Sequence, residues 1–63
     1  MPMIQVNVLA GHTAEEKRKF VADIARVTAE DFNVPMDKIW IQLIEMPHDE
    51  FAVGGKFISE TRP

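Results

Sequence analysis

The chain has 63 residues, 46% of them apolar, no cysteine and a formal net charge of −3. That length makes one domain, residues 1–63, able to bury only about 60% of its unfolded surface. Disulfides and thiolate metal sites are excluded. Two histidines, His12 and His48, are too few for a typical structural metal site, and the adjacent His48-Asp49-Glu50 would not converge on one ion, so no metal is expected. The one basic run, Lys17-Arg18-Lys19, follows Glu15-Glu16, which argues against nucleic-acid binding. No stretch approaches the roughly 18 apolar residues of a membrane span. The N-terminus also lacks the basic start and apolar core of a signal peptide, so a cytoplasmic location is expected. Small folds need a staple, and with cysteine absent self-association is the expected one.

Pro2 follows the initiator Met1, a context that invites methionine removal. Removal would leave a secondary amine at the start of a strand, able to act as a base if its surroundings keep it uncharged. Met3 to Leu9 alternates as a strand: Ile4, Val6 and Val8 share one face with Pro2, and Gln5, Asn7 and Leu9 share the other. Ala10-Gly11-His12 is a turn. Thr13 and Glu16 have the spacing of a capping box, which opens a helix from Ala14 to Phe32. Its inner stripe is expected to hold Phe20, Ile24 and Val27, with Val21, Ala25 and Thr28 beside them. Phe32 is expected to take the core place that Asp31 cannot. Glu15, Lys19, Asp23, Arg26 and Glu30 form the wet side, with Glu15 and Lys19 in favourable i,i+4 order. Asn33 suits a left-handed stop and Pro35 ends the helix.

Lys38 to Glu45 is the second predicted strand, apolar on both faces: Ile39, Ile41 and Leu43 on one, Trp40 and Ile44 on the other. Met46 to Glu50 is a loop. Residues Phe51 to Ile58 read as a hairpin on a Gly54-Gly55 turn, and Ser59 to Pro63 as a tail. Strand, helix, strand implies a right-handed crossover and parallel strands. Two strands and one helix do not stand alone in water. A second copy must extend the sheet, so a homo-oligomer is expected.

These residues together resemble the 4-oxalocrotonate tautomerase family. The resemblance rests on Met1-Pro2-Met3-Ile4-Gln5-Val6-Asn7-Val8-Leu9, Gly11-x-Thr13, Val34-Pro35, and Ile44-Glu45-Met46 leading through Phe51 to Gly54-Gly55. It covers nearly the whole chain without gaps. It implies an α+β fold, a β-α-β unit with a C-terminal β-hairpin, whose sheets are extended by oligomerisation. It also implies a hexamer with active sites between subunits, and an isomerase that needs no cofactor. Pro2, after loss of Met1, corresponds to the general base that moves a proton in an enol or unsaturated keto acid. Phe51 corresponds to the residue of the apolar pocket. A backbone amide near Leu9 corresponds to a substrate-orienting donor.

Two positions depart from the family. Its carboxylate-binding arginines are matched here by His12 and Trp40. Neither offers the fixed bidentate fork of arginine. A monocarboxylate or aromatic keto compound therefore suits the site better than a dicarboxylate. Lys38, Lys56 and Arg62 are the remaining cations that could approach the pocket. The alternative reading is a non-catalytic oligomer that keeps the fold and binds a small acid or a partner.

Overall fold

The computed structural model describes residues 1–62. Strand β1 is Met3–Leu9, helix α1 is Ala14–Phe32, strand β2 is Trp40–Met46, and β3 and β4 are Ala52–Val53 and Lys56–Phe57. A short helix α2, Ile58–Thr61, follows. The fold is the α+β arrangement expected, a β-α-β unit with a C-terminal hairpin.

β1 and β2 pair in parallel, from Met3 opposite Trp40 to Leu9 opposite Met46. Two bonds extend the ladder at its ends. The Trp40 N–H donates to the Pro2 carbonyl at 3.0 Å, and the Ala10 N–H donates to the Met46 carbonyl at 3.0 Å. Residues 2 and 10 have the same parity, and backbone groups alternate in direction along a strand. Even-numbered residues of β1 therefore point their N–H and C=O at β2. Met3, Gln5, Asn7 and Leu9 point theirs at the opposite edge, which no strand among the described residues covers.

α1 begins where the capping box predicts. The Glu16 N–H donates to Thr13 Oγ1 at 3.1 Å and the Thr13 N–H donates to Glu16 Oε1 at 2.8 Å. It ends at Asn33, with φ of 53°, whose N–H donates to the Ala29 carbonyl. The helix lies over the Ile4, Val6, Val8, Ile41 and Leu43 face, where Lys17 pairs with Glu45 of β2. Its inner stripe is narrower than the sequence suggests. Val21, Ile24, Ala25 and Thr28 are half-buried, but Phe20, Val27 and Phe32 are exposed, and Phe32 takes no core position. Nothing among the described residues reaches around the helix to cover them. Lys19 reaches forward to Asp23 at 2.6 Å rather than back to Glu15, because Asp23 is also shared with Arg26 in a chain of pairs ending at Glu30.

Two further boundaries differ. β2 starts at Trp40, not Lys38, because Met36–Lys38 is a 3-10 turn. Its Lys38 and Ile39 N–H groups donate to the Pro35 and Met36 carbonyls, which removes them from the ladder. Ser59 to Thr61 is helical rather than a tail; Pro63 lies outside the described residues. The hairpin forms as expected, with Gly54 and Gly55 both at positive φ (63° and 84°), the type I′ geometry that side chains resist. Ile58 at its base, 5% exposed, is the only buried residue among those described.

The chain exposes 4997 Å², whereas a folded monomer of 7.2 kDa exposes about 4,100 Å². Its radius of gyration is 14.9 Å, against about 11 Å for a compact chain of this length. The sheet face away from the helix is equally bare: Met3 is 71% and Trp40 57% exposed.

Candidate active site

The residues singled out in the sequence fall at two ends of the sheet. Pro2 and Trp40 lie at one end; Leu9, His12 and Phe51 lie at the other. Seven strand steps separate Pro2 from Leu9, about 23 Å. One chain cannot bring a base at Pro2 and binding groups at Leu9 to the same small molecule.

At the first end, Pro2 is half-buried and lines a cavity of about 440 Å³ with Met1, Asp31, Phe32 and Val34. The strand holds it through the carbonyl that accepts from Trp40. The Trp40 indole lies on the other face of the sheet, beside Met3 and the Gln5–Gln42 amide pair, where Gln5 Nε2 donates to Gln42 Oε1 at 3.3 Å. Pro2 and Trp40 are thus neighbours through their backbones, while their side chains open on opposite faces.

At the second end, the Leu9 N–H points to the open edge, by the parity set out above. His12 follows Gly11, whose φ of 126° makes the sharp exit from the strand. The imidazole is exposed, and its Nδ1 stands 3.8 Å from Glu16 Oε1. Two bonds from Thr13, the backbone one first, hold the Glu16 carboxyl below the usual carboxylate range, and the nearby His12 adds to this. His12, Glu16, Lys17 and the apolar Val8, Phe20 and Leu43 line a cavity of about 310 Å³. Phe51 is half-buried, and its carbonyl accepts from the Ile58 N–H at 2.9 Å. His48 is engaged in holding this end together: its Nε2 meets the Ala10 carbonyl at 2.7 Å, and its own carbonyl accepts from Ser59. Lys38 sits in the 3-10 turn near Trp40, Lys56 on β4, and Arg62 at the end of α2; each is exposed. Among the described residues, no three His, Asp or Glu side chains are grouped to hold a metal ion.

Sequence reading missed Glu16 as a neighbour of His12. The signal was present as an i,i+4 pair, but the capping role already accounted for Glu16. It also missed which edge of β1 is open, which only the ladder bonds reveal.

A family model for tautomerase enzymes matches residues 2–61. The 2-hydroxymuconate tautomerase of Bacillus subtilis (strain 168) is 35% identical over 60 residues, covering 95% of this chain and 97% of that protein. A solved structure from a study of 4-oxalocrotonate tautomerase isozymes of Methylibium petroleiphilum superposes with a TM-score of 0.90 at 33% identity, covering 97% of this chain and 95% of that one. A second, from a heterohexamer 4-oxalocrotonate tautomerase of Chloroflexus aurantiacus J-10-fl, has a TM-score of 0.88 at 26% identity, covering 98% and 100%. The chain belongs to the tautomerase family. It is an isomerase built like 4-oxalocrotonate tautomerase.

Proposed function

We propose that the chain is a cofactor-independent tautomerase whose base is the Pro2 amine, exposed by loss of Met1, and whose active sites form between copies of the chain. The observation that carries this reading is the separation of Pro2 from Leu9, His12 and Phe51 along one strand with an open edge. If two β1 strands pair antiparallel through that edge, one register bonds Gln5 against Asn7 and brings Met3 level with Leu9, whose N–H at the end of the ladder is left for substrate. Such a two-fold interface is self-complementary. It sets Pro2 of one copy opposite Ala10 of the other, close to that copy's Leu9 N–H and His12. Further copies then cover the bare face carrying Met3 and Trp40, and a hexamer suits that need. The roughly 900 Å² excess of exposed surface is close to what one partner buries in a standard interface.

At the assembled site Pro2 takes a proton from one carbon or enol oxygen of a keto or enol acid and returns it to another carbon. Phe32 and Val34 disfavour the charged amine; the Asp31 carboxylate favours it. The Leu9 N–H donates to the substrate oxygen, and Phe51 supplies apolar contact. His12 and Trp40 in place of arginines favour aromatic or singly charged enols such as phenylenolpyruvate. A second carboxylate would shed water there with no charged partner. The cytoplasm is the proposed compartment; no helix among the described residues is long and apolar enough to cross a membrane.

The test compares two preparations of natural sequence, with Met1 removed and with Met1 retained, each verified by intact mass. With Met1 attached, Pro2 nitrogen is a tertiary amide without a basic lone pair. Activity should be confined to the methionine-free protein. Equal activity in both removes Pro2 as the base and favours another proton acceptor. No activity in either, with a small acid still bound, favours the binding-protein alternative.

A further inference from the structure

We propose that Glu16 is a specificity-determining residue: held beside His12, its carboxylate disfavours substrates that bring a second carboxylate to this end of the site. The inference rests on the reading above that His12 contacts the substrate.

Three observations support it. First, Glu16 is an exposed carboxylate but not a loose one. The Thr13 N–H donates to its Oε1 at 2.8 Å, the Glu16 backbone N–H donates back to Thr13 Oγ1 at 3.1 Å, and the same Oε1 stands 3.8 Å from His12 Nδ1. Thr13 also favours its ionised form. Second, the one permanent cation on the same cavity is already committed: Lys17 is paired with Glu45 of β2. The charged groups facing His12 thus sum to one negative charge when the imidazole is neutral and to zero when it is protonated. Third, the rest of the cavity is Val8, Phe20 and Leu43, which offer a carboxylate nothing. A substrate carboxylate on His12 Nε2 would lie within about one Debye length, ~8–10 Å, of Glu16, so the repulsion survives in dilute buffer and fades in salt. An aromatic end group meets no such term.

The substitution Glu16→Gln isolates the charge, because glutamine serves in a capping box as glutamate does. Binding of phenylpyruvate and of 2-oxohexanedioate to the methionine-free assembly is measured by calorimetry, with turnover of the corresponding enols followed in parallel. Glu16→Gln should tighten the diacid by about threefold, the scale of exposed charge pairs, and leave phenylpyruvate unchanged. Glu15→Gln, which removes a carboxylate that does not line the cavity, should change neither. Half-molar salt should tighten the diacid relative to phenylpyruvate on the natural sequence, a check that does not depend on any variant folding. An unchanged ratio in folded Glu16→Gln, or a ratio that moves against the diacid in salt, overturns the proposal. Charge-selective binding without turnover supports Glu16 and removes Pro2 catalysis instead. Failure of the natural assembly to bind either acid overturns both.

Discussion

The two ends of the central sheet are built differently. Where the chain enters, Pro2 is held by one backbone bond and walled by Phe32, Val34 and Asp31. Where β1 and β2 end, the backbone is cross-tied: Ala10 to Met46, His48 to Ala10, Ser59 to His48 and Ile58 to Phe51. The first end carries a candidate base with few polar neighbours. The second carries backbone donors, the His12 imidazole with the Glu16 carboxylate beside it, and His48 engaged with the Ala10 carbonyl. On the proposed reading neither end is a site alone, because the strand that joins them holds them about 23 Å apart. The difference teaches that, if the proposed site is right, the division of chemistry and the need for a partner are one fact in a chain this small.

The largest effects should come from removing what one end alone supplies. Pro2→Ala in verified methionine-free protein should lower kcat/KM by about 10²–10⁴-fold, the range of general acid–base contributions, with the assembly intact by light scattering. Asn7→Pro attacks the edge between the ends. The Asn7 N–H points away from β2, so proline costs the chain's own ladder nothing but blocks antiparallel pairing of a second β1. Sedimentation should show smaller species, and activity should fall with the loss of assembly. An Asn7→Pro protein that remains fully assembled and active would place the interface elsewhere.

Trp40→Arg is a subtler probe. It should improve use of dicarboxylate enols relative to phenylenolpyruvate if the indole of one copy meets the site of another. Steady-state kinetics on both substrates would read the ratio. Asp31→Asn should lower the pH at which the acid limb of kcat/KM falls, since removing an anion near Pro2 makes its ammonium less favourable. The smallest effect concerns α1. Glu16 and Asp23 have carboxyls held below their ordinary values of 4.5 and 3.8, Glu16 by Thr13 and Asp23 mainly by Lys19. A depressed folded pKa stabilises above the unfolded value and is lost as pH falls through the folded one. Urea midpoints of the natural sequence and of Asp23→Asn should therefore differ at pH 6 and draw together as the pH falls below 3.8.

Much of the fold was legible because it rests on local rules. Thr13 and Glu16 start α1, Asn33 stops it, and Gly54-Gly55 turns the hairpin, each by chemistry within a few residues. The alternation of β1 named its two faces correctly. Facing was less legible where it depends on what is absent from a single chain. Phe20, Val27 and Phe32 are as apolar as core residues, yet exposed, because hydrophobicity states that a group wants cover and not which molecule gives it. The start of β2 was misplaced because Met36, Asp37 and Lys38 close a turn that a strand pattern does not reveal. Of the candidate site, Pro2, Leu9, His12, Trp40 and Phe51 could be singled out from the sequence, chiefly through the family resemblance. Their distribution over two ends was not, since it follows from ladder direction.

Subunit complementation tests the shared site most directly. A Pro2→Ala chain keeps the second end; a chain with His12→Glu and Phe51→Ala keeps Pro2. Each alone should be nearly inactive. Unfolded together and reassembled in equal amounts, random pairing makes half the two-fold pairs mixed, and each mixed pair regains one intact site of two. Activity should recover to about one quarter of that of the natural sequence treated in the same way. Activity that stays at the mean of the two defective proteins, with mixed assemblies present by mass, would contradict a site built between copies.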